Sequence, residues 1–108
     1  MVVILGLIIM SSPAFAENLN QEIANLLSRN SDAVELIKGF QNSRRLDCST
    51  PGDEETAVNR DAKTFTAEYQ CKASELSHAT TIVTISGIYT FKSNGELAVQ
   101  VNGLKINN

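Results

Sequence analysis

The residues of this chain best suited to covalent chemistry are its two cysteines, Cys48 and Cys71. A redox pair wants its thiols close in sequence, as in Cys-x-x-Cys, and these are far apart. In an exported chain, which the N-terminal sequence below suggests, two such cysteines read as one structural disulfide, Cys48–Cys71. Closing a loop of this size stabilises a fold by roughly 3 kcal/mol on the chain-entropy model. For a small domain that is a large part of the total.

The remaining reactive side chains do not assemble into a catalytic set. His78 is the only histidine. A nucleophilic triad needs such a base beside a serine or cysteine, but the cysteines are taken up, and Ser74, Ser77 and Ser86 have no nucleophile elbow around them. One histidine and two paired cysteines leave only carboxylates for a metal. Asp53, Glu54, Glu55 and Asp61 lack the alternate spacing of a calcium loop and read as a solvated acidic loop. Glu68 and Glu96 fall on expected strands, but on the wetter face, and Glu96 has Lys92 as its cross-strand partner. Neither belongs to a pair of acids facing a cleft, which glycoside hydrolysis requires. The six glycines are scattered and form no phosphate loop. Arg44-Arg45 reads as solvated chain. The expectation is a protein that is not an enzyme and holds no cofactor or metal.

Charge excludes further classes. The net charge of −3 argues against nucleic acid, since neutralising phosphates needs a basic surface. No basic amphipathic stretch suits a membrane surface. There is no Trp, so a ligand platform would rest on Tyr or Phe.

The N-terminal sequence sets the compartment. Val2 to Met10 is an apolar run, followed by Ser-Ser-Pro and Ala14-Phe15-Ala16 before Glu17. A short apolar region followed by small residues at −3 and −1 is the pattern of a cleaved secretory signal over residues 1–16. The run is short for a membrane span. No Lys or Arg precedes it, so the true start codon is expected upstream if the signal reading holds. The stretch MVVILGLI also resembles the interior of a type IV pilin N-terminal helix. That resemblance covers about the first ten residues, and the leader glycine, the following Phe and the early glutamate are absent. It implies a retained apolar helix followed by an antiparallel sheet.

Removing residues 1–16 from 108 leaves 92, enough for a single small domain over 17–108. Leu19, Ile23, Leu26, Ala33, Ile37 and Phe40 recur at helical spacing, with Leu27 and Val34 widening the stripe. Asn18 is the expected N-cap. The polar Ser28-Arg29-Asn30-Ser31-Asp32 would suit a break capped by Asp32, with Glu35 three residues on. The apolar phase nevertheless runs straight through, which predicts one long helix from about Asn20 to Gln41. Gly39 and Asn42-Ser43 suit its end.

Strands follow. Arg44 to Ser49 is a short candidate, Thr50 to Ala62 reads as a long loop with a Pro51-Gly52 turn, and Lys63 to Ala73 alternates cleanly with Phe65, Ala67, Tyr69, Cys71 and Ala73 inward. Ser74 to His78 connects this strand to the hairpin Ala79–Val101. There Val83, Ile85, Tyr89 and Phe91 share one face, and Ile82 and Ile88 fall on the wetter one. A three-residue loop, Ser93-Asn94-Gly95, pairs Phe91 with Leu97, Tyr89 with Val99 and Lys92 with Glu96, with Gly95 in the left-handed position. A bulge or turn at Gly103 would restore Leu104 and Ile106 to the core face.

The order predicts an α+β domain in which one long N-terminal helix packs on an antiparallel meander of about four strands, with one disulfide. In element order it resembles cystatin-like and NTF2-like folds, and such likeness implies no function. The expected function is a small exported binding protein, periplasmic or secreted, of the inhibitor or immunity-protein type, acting on another protein. Its candidate contacts are the acidic Asp53, Glu54 and Glu55 and the outward Ile82, Ile88 and Thr90. No nucleic acid is expected as a partner, and no membrane once the signal is cleaved. Two alternatives are an envelope assembly subunit such as a minor pilin, and a small-molecule carrier using the concave face of the sheet. An unpaired edge strand at Leu97–Val101 would allow dimerisation by strand addition.

Overall fold

A computed structural model of the chain describes residues 19–73 and 78–107. The expected signal segment 1–16, the Asn18 cap and Ser74 and Ser77 lie outside the described residues. The elements run α1 (Leu19–Leu27), α2 (Ser31–Arg44), β1 (Asp47–Cys48), β2 (Thr56–Asn59), β3 (Thr64–Lys72), β4 (Thr81–Phe91) and β5 (Leu97–Asn107). All pairings are antiparallel, in the order β1-β3-β4-β5, with β2 also on β3. The α+β class therefore holds.

The single long helix does not: the described residues hold two helices in its place, of 9 and 14 residues. The end of α1 tightens, with Arg29 N–H donating to Leu26 O at 3.1 Å and Asn30 N–H to Leu27 O at 3.3 Å. Asn30 then turns extended at φ −74° and ψ 124°, and its Oδ1 accepts from Ala33 N–H at 3.0 Å. That bond satisfies one of the donors a new helix leaves unpaired. Asn30 is the cap, not Asp32. The stripe stays in phase because both helices lie on one face of the sheet, burying Leu19, Ile23, Ala24 and Leu27 in α1 and Ala33, Ile37 and Phe40 in α2. Val34, counted in the stripe, is instead 43% exposed. Asn30→Ala is expected to lower stability by about 1 kcal/mol, read as a lower urea midpoint at unchanged slope.

At its other end α2 stops without glycine. Arg45 takes φ 56° and ψ 47°, and Leu46 N–H returns to Gln41 O at 3.1 Å. Gly39 lies inside the helix and ends nothing.

The sheet core alternates large and small residues across strands. Phe65 opposes Gly87, Ala67 opposes Ile85, and Tyr69 opposes Val83. All six are buried. On the far side of β4, Val99 meets Tyr89 and Val101 meets Gly87. The hairpin loop is the three-residue form, closed by Lys92 N–H to Glu96 O at 2.7 Å and Gly95 N–H to Lys92 O at 2.8 Å, with Gly95 at φ 89°. Pairing then steps from Gly87–Val101 to Ser86–Gly103, leaving Asn102 as the extra residue of a bulge. This returns Leu104 and Ile106 to the core side, as the apolar pattern requires.

Three expectations need correction. Phe91, read as core, is 41% exposed. The β3–β4 pairing ends at Thr64–Ile88, so Phe91 has no β3 neighbour, although its ring still meets Tyr89 edge-on at 6.0 Å. The first strand is only Asp47–Cys48. Within the expected long loop, Thr56–Asn59 pairs with β3 as a strand.

Cys48 and Cys71 are directly opposed and bonded, with Cα atoms 4.0 Å apart. The neighbouring pair is hydrogen-bonded, Ser49 N–H donating to Gln70 O at 2.9 Å. By ladder alternation the cysteines form the narrow pair, whose N–H groups point away from one another. The Cys48 N–H is met by Gln41 Oε1 of α2 at 2.7 Å, which ties the disulfide to the helix layer.

Candidate functional site

The helices cover one face of the sheet, and the outer face of β4 carries Ile82, Thr84, Ser86, Ile88 and Thr90. Ile82 and Ile88 are half-buried there and Thr90 is exposed. Cross-strand neighbours are polar: Gln70 and Asn107 flank Ile82, Thr64 and Gln100 flank Ile88, and Glu68 and Lys105 flank Thr84. Asn107 Nδ2 donates to Thr84 Oγ1 at 3.2 Å. Ile88 and Thr90 are adjacent on this face, whereas Ile82 lies six residues away, about 20 Å along an extended strand. The two isoleucines are therefore not one patch.

The acidic loop sits on the far side of β3, with Glu68 N–H donating to Glu55 O at 2.9 Å. Glu55 is committed to the loop itself. Its Oε1 accepts from Gly52 N–H at 2.8 Å, while buried Thr56 donates its hydroxyl to Gly52 O at 2.8 Å. Asp53 and Glu54 remain exposed. The strand β3 separates them from the outward residues of β4, so the six candidate contacts divide into a loop and a strand face.

A different site escaped the sequence reading. At the disulfide end of the fold an open groove of about 330 Å³ lies between the helices and the sheet. Its apolar walls include Leu27, Val34, Ile37 and Cys48, with Lys38 and Tyr69 also lining it. Tyr69 is 5% exposed. Its hydroxyl makes no hydrogen bond among the described residues, yet no fully buried side-chain polar atom there lacks a partner. The break at Ser28–Asn30 was the one sequence signal for it, because Leu27 and Ser28 on one side and Ala33 and Val34 on the other line the same opening.

Burial pushes the Tyr69 phenol above its ordinary value of 10.0. The folded chain then holds this proton more tightly than the unfolded one. Its contribution is complete below about pH 10 and is lost as pH rises through the folded-state value. Titration should show a phenolate absorbance rise above pH 10 whose amplitude falls in Tyr69→Phe.

His78 is exposed. Among the described residues no three His, Cys, Asp or Glu side chains come together as a metal-binding group. Arg44 stacks over Phe40 at 5.5 Å. Lys92 Nζ lies 4.0 Å from Glu96 Oε1, and both are exposed. Such a pair contributes little. No helix among the described residues is long and apolar enough to cross a membrane. Compared with protein-family models, curated proteins and solved structures, the chain has no match.

Proposed function

We propose that this chain is a small exported binding protein, of the inhibitor or immunity-protein type, that works through a protein–protein surface and catalyses nothing. The observation that carries this reading is the one-sided helix cover, which leaves the outer face of β4 open with Ile88 and Thr90 side by side. Exposed Asp53 and Glu54 supply a second, acidic contact beyond β3. The disulfide is consistent with an oxidising, extracytoplasmic location. Export itself rests on the Ala14-Phe15-Ala16 junction, and a mature N-terminus at Glu17 would exclude the pilin alternative. The contact surface is tested by photo-crosslinking residues placed at Ile82, Ile88, Thr90 and, as a control, Lys38 on α2. One discrete adduct from position 88 or 90, absent at 38, is the expected result. No adduct from any of the three strand positions, in the compartment where the protein resides, overturns the reading.

A second reading, a carrier of small apolar molecules, is favoured by one observation: an apolar groove of about 330 Å³ between the helices and the sheet, lined by Tyr69 and Lys38 among others. Pockets for small ligands begin at about this size and use few polar groups. The Lys38 ammonium beside it suits an aliphatic carboxylate. A fluorescent polyene fatty acid should bind the protein, more weakly in Tyr69→Phe. Absence of saturable binding removes this reading.

A further inference from the structure

Among the described residues, β5 is an open edge of the sheet. Lys92 N–H donates to Glu96 O at 2.7 Å, so Lys92–Glu96 is a hydrogen-bonded pair. Pairs alternate along an antiparallel ladder. Ala98 and Gln100 therefore turn their N–H and C=O groups to β4, while Leu97, Val99 and Val101 turn theirs outward. No described strand pairs with β5 on that side. The other edge differs, because β1 and β2 divide the far side of β3 between them.

Natural sheets protect such an edge with charge, proline, bulges or cover. The stretch Leu97–Val101 holds no charge and no proline. The Ser93–Gly95 loop bounds it on one side and the Asn102 bulge on the other. Leu97, Val99 and Val101 are only half-buried, unlike Val83, Ile85 and Tyr89 on β4. Beside this strand two grooves open against the helices. One, of about 310 Å³, is lined by Leu26, Arg29 and Leu97, with Glu22 and Glu96 also present. The other, of about 340 Å³, is lined by Asp32, Glu35, Leu36, Val101 and Leu104.

We propose that a second copy of this chain pairs here, β5 against β5, about a two-fold axis at Val99. In that register Val99 faces Val99 of the second copy and Leu97 faces its Val101. Each such pair exchanges both backbone hydrogen bonds, using the groups left open in one copy. The pairing is self-complementary on the apolar side as well. Leu97 of the second copy lies against Val101, beside the groove walled by Leu36 and Leu104, and Val101 of the second copy lies against Leu97, beside the groove walled by Leu26. The charges match in the same sense. The two-fold brings the Arg29 end of one copy to the Asp32 and Glu35 end of the other, and Lys105 to the end carrying Glu96. Glu22 lies at the Arg29 end and opposes this match, while Glu96 already has Lys92 at 4.0 Å. The interface is small and the dimer weak, at the lower end of specific interfaces. This inference does not depend on the function proposed above.

Hydrogen exchange on the purified protein at low and high concentration tests it, alongside sedimentation. The amides of Leu97, Val99 and Val101 should exchange about tenfold or more slower at high concentration, while those of Ala98 and Gln100, already bonded to β4, do not change. Val99→Pro removes an N–H that the monomer does not use and should leave a folded monomer at every concentration. A wild-type protein that stays monomeric into the millimolar range overturns the proposal. So does a dimer whose protection falls elsewhere than on these three amides. Should Val99→Pro fail to fold, the exchange pattern of the wild type decides alone.

Discussion

Gly87→Ala is expected to lower stability by about 3 kcal/mol or more, although it adds a single methyl group. A Cβ at this position would lie 2.0 Å from the carbonyl oxygen of Gln100 and 2.9 Å from its carbon. Both atoms belong to the backbone of β5 and do not swing aside as a side-chain end would. The same methyl would meet Phe65 Cε1 at 3.0 Å, and Phe65 is the large residue opposite Gly87 in the β3–β4 register. Relief requires opening the β4–β5 ladder where it steps at the bulge, or moving a 2%-exposed ring out of the core. In a domain of this size the loss corresponds to a melting temperature lowered by roughly 15 °C. Gly39→Ala is the control. It sits in α2 with nothing within 4 Å of an added Cβ, and the substitution should stabilise by about 0.5–1 kcal/mol because glycine is costly inside a helix. Thermal unfolding of the two variants should therefore move in opposite directions, and equal behaviour would refute the close approach at Gly87.

Removing the disulfide by the double substitution Cys48→Ser and Cys71→Ser is expected to cost about 2–5 kcal/mol. The unfolded chain regains a loop whose ends are 23 residues apart in sequence. The folded state also loses its hold on β1, which is only two residues long and pairs with β3 at Asp47–Lys72 and Cys48–Cys71. A serine hydroxyl at position 71 would be buried, since Cys71 is 0% exposed, which adds to the cost. Gln41 would then have no fixed Cys48 N–H to accept from, so the end of α2 should loosen with β1. Chemical denaturation of the double variant, compared with wild type under oxidising and reducing conditions, measures this. Reduction of the wild type should reproduce most of the loss, and a reduced protein as stable as the oxidised one would contradict it.

How much of this was legible beforehand differs from element to element. The hairpin register was readable because only one loop length placed Leu97, Val99 and Val101 on the same face as Tyr89. The bulge near Gly103 was readable because the apolar parity changed there. The disulfide followed from there being two cysteines in a chain with an export-like N-terminus. The helix break was not readable from phase. Phase reports which face a residue shares, and two helices on one sheet keep it across a single extended residue. The cap at Asn30 depended on backbone geometry that Asp32 and Glu35 imitated in sequence. The outward β4 residues were placed on the right face, but their spacing along the strand splits Ile82 from Ile88. The acidic loop read as one cluster, yet the Glu55 carboxylate is spent inside it.

Periodicity and turn chemistry are local and repeat within a few residues, so they fix the α+β class and the register of the hairpin, and the count of two cysteines fixes their pairing; the registers of the other strands and the existence of β2 come from the tertiary structure. Only the tertiary structure decided where the helix layer stops. The end of the helix layer opens the groove over Tyr69, whereas the end of the β3–β4 pairing leaves Phe91 exposed, the Gln100 backbone and the Phe65 ring make Gly87 indispensable, and the strand order leaves β5 at an edge among the described residues. Each is a relation between elements distant in the chain, which local periodicity does not report.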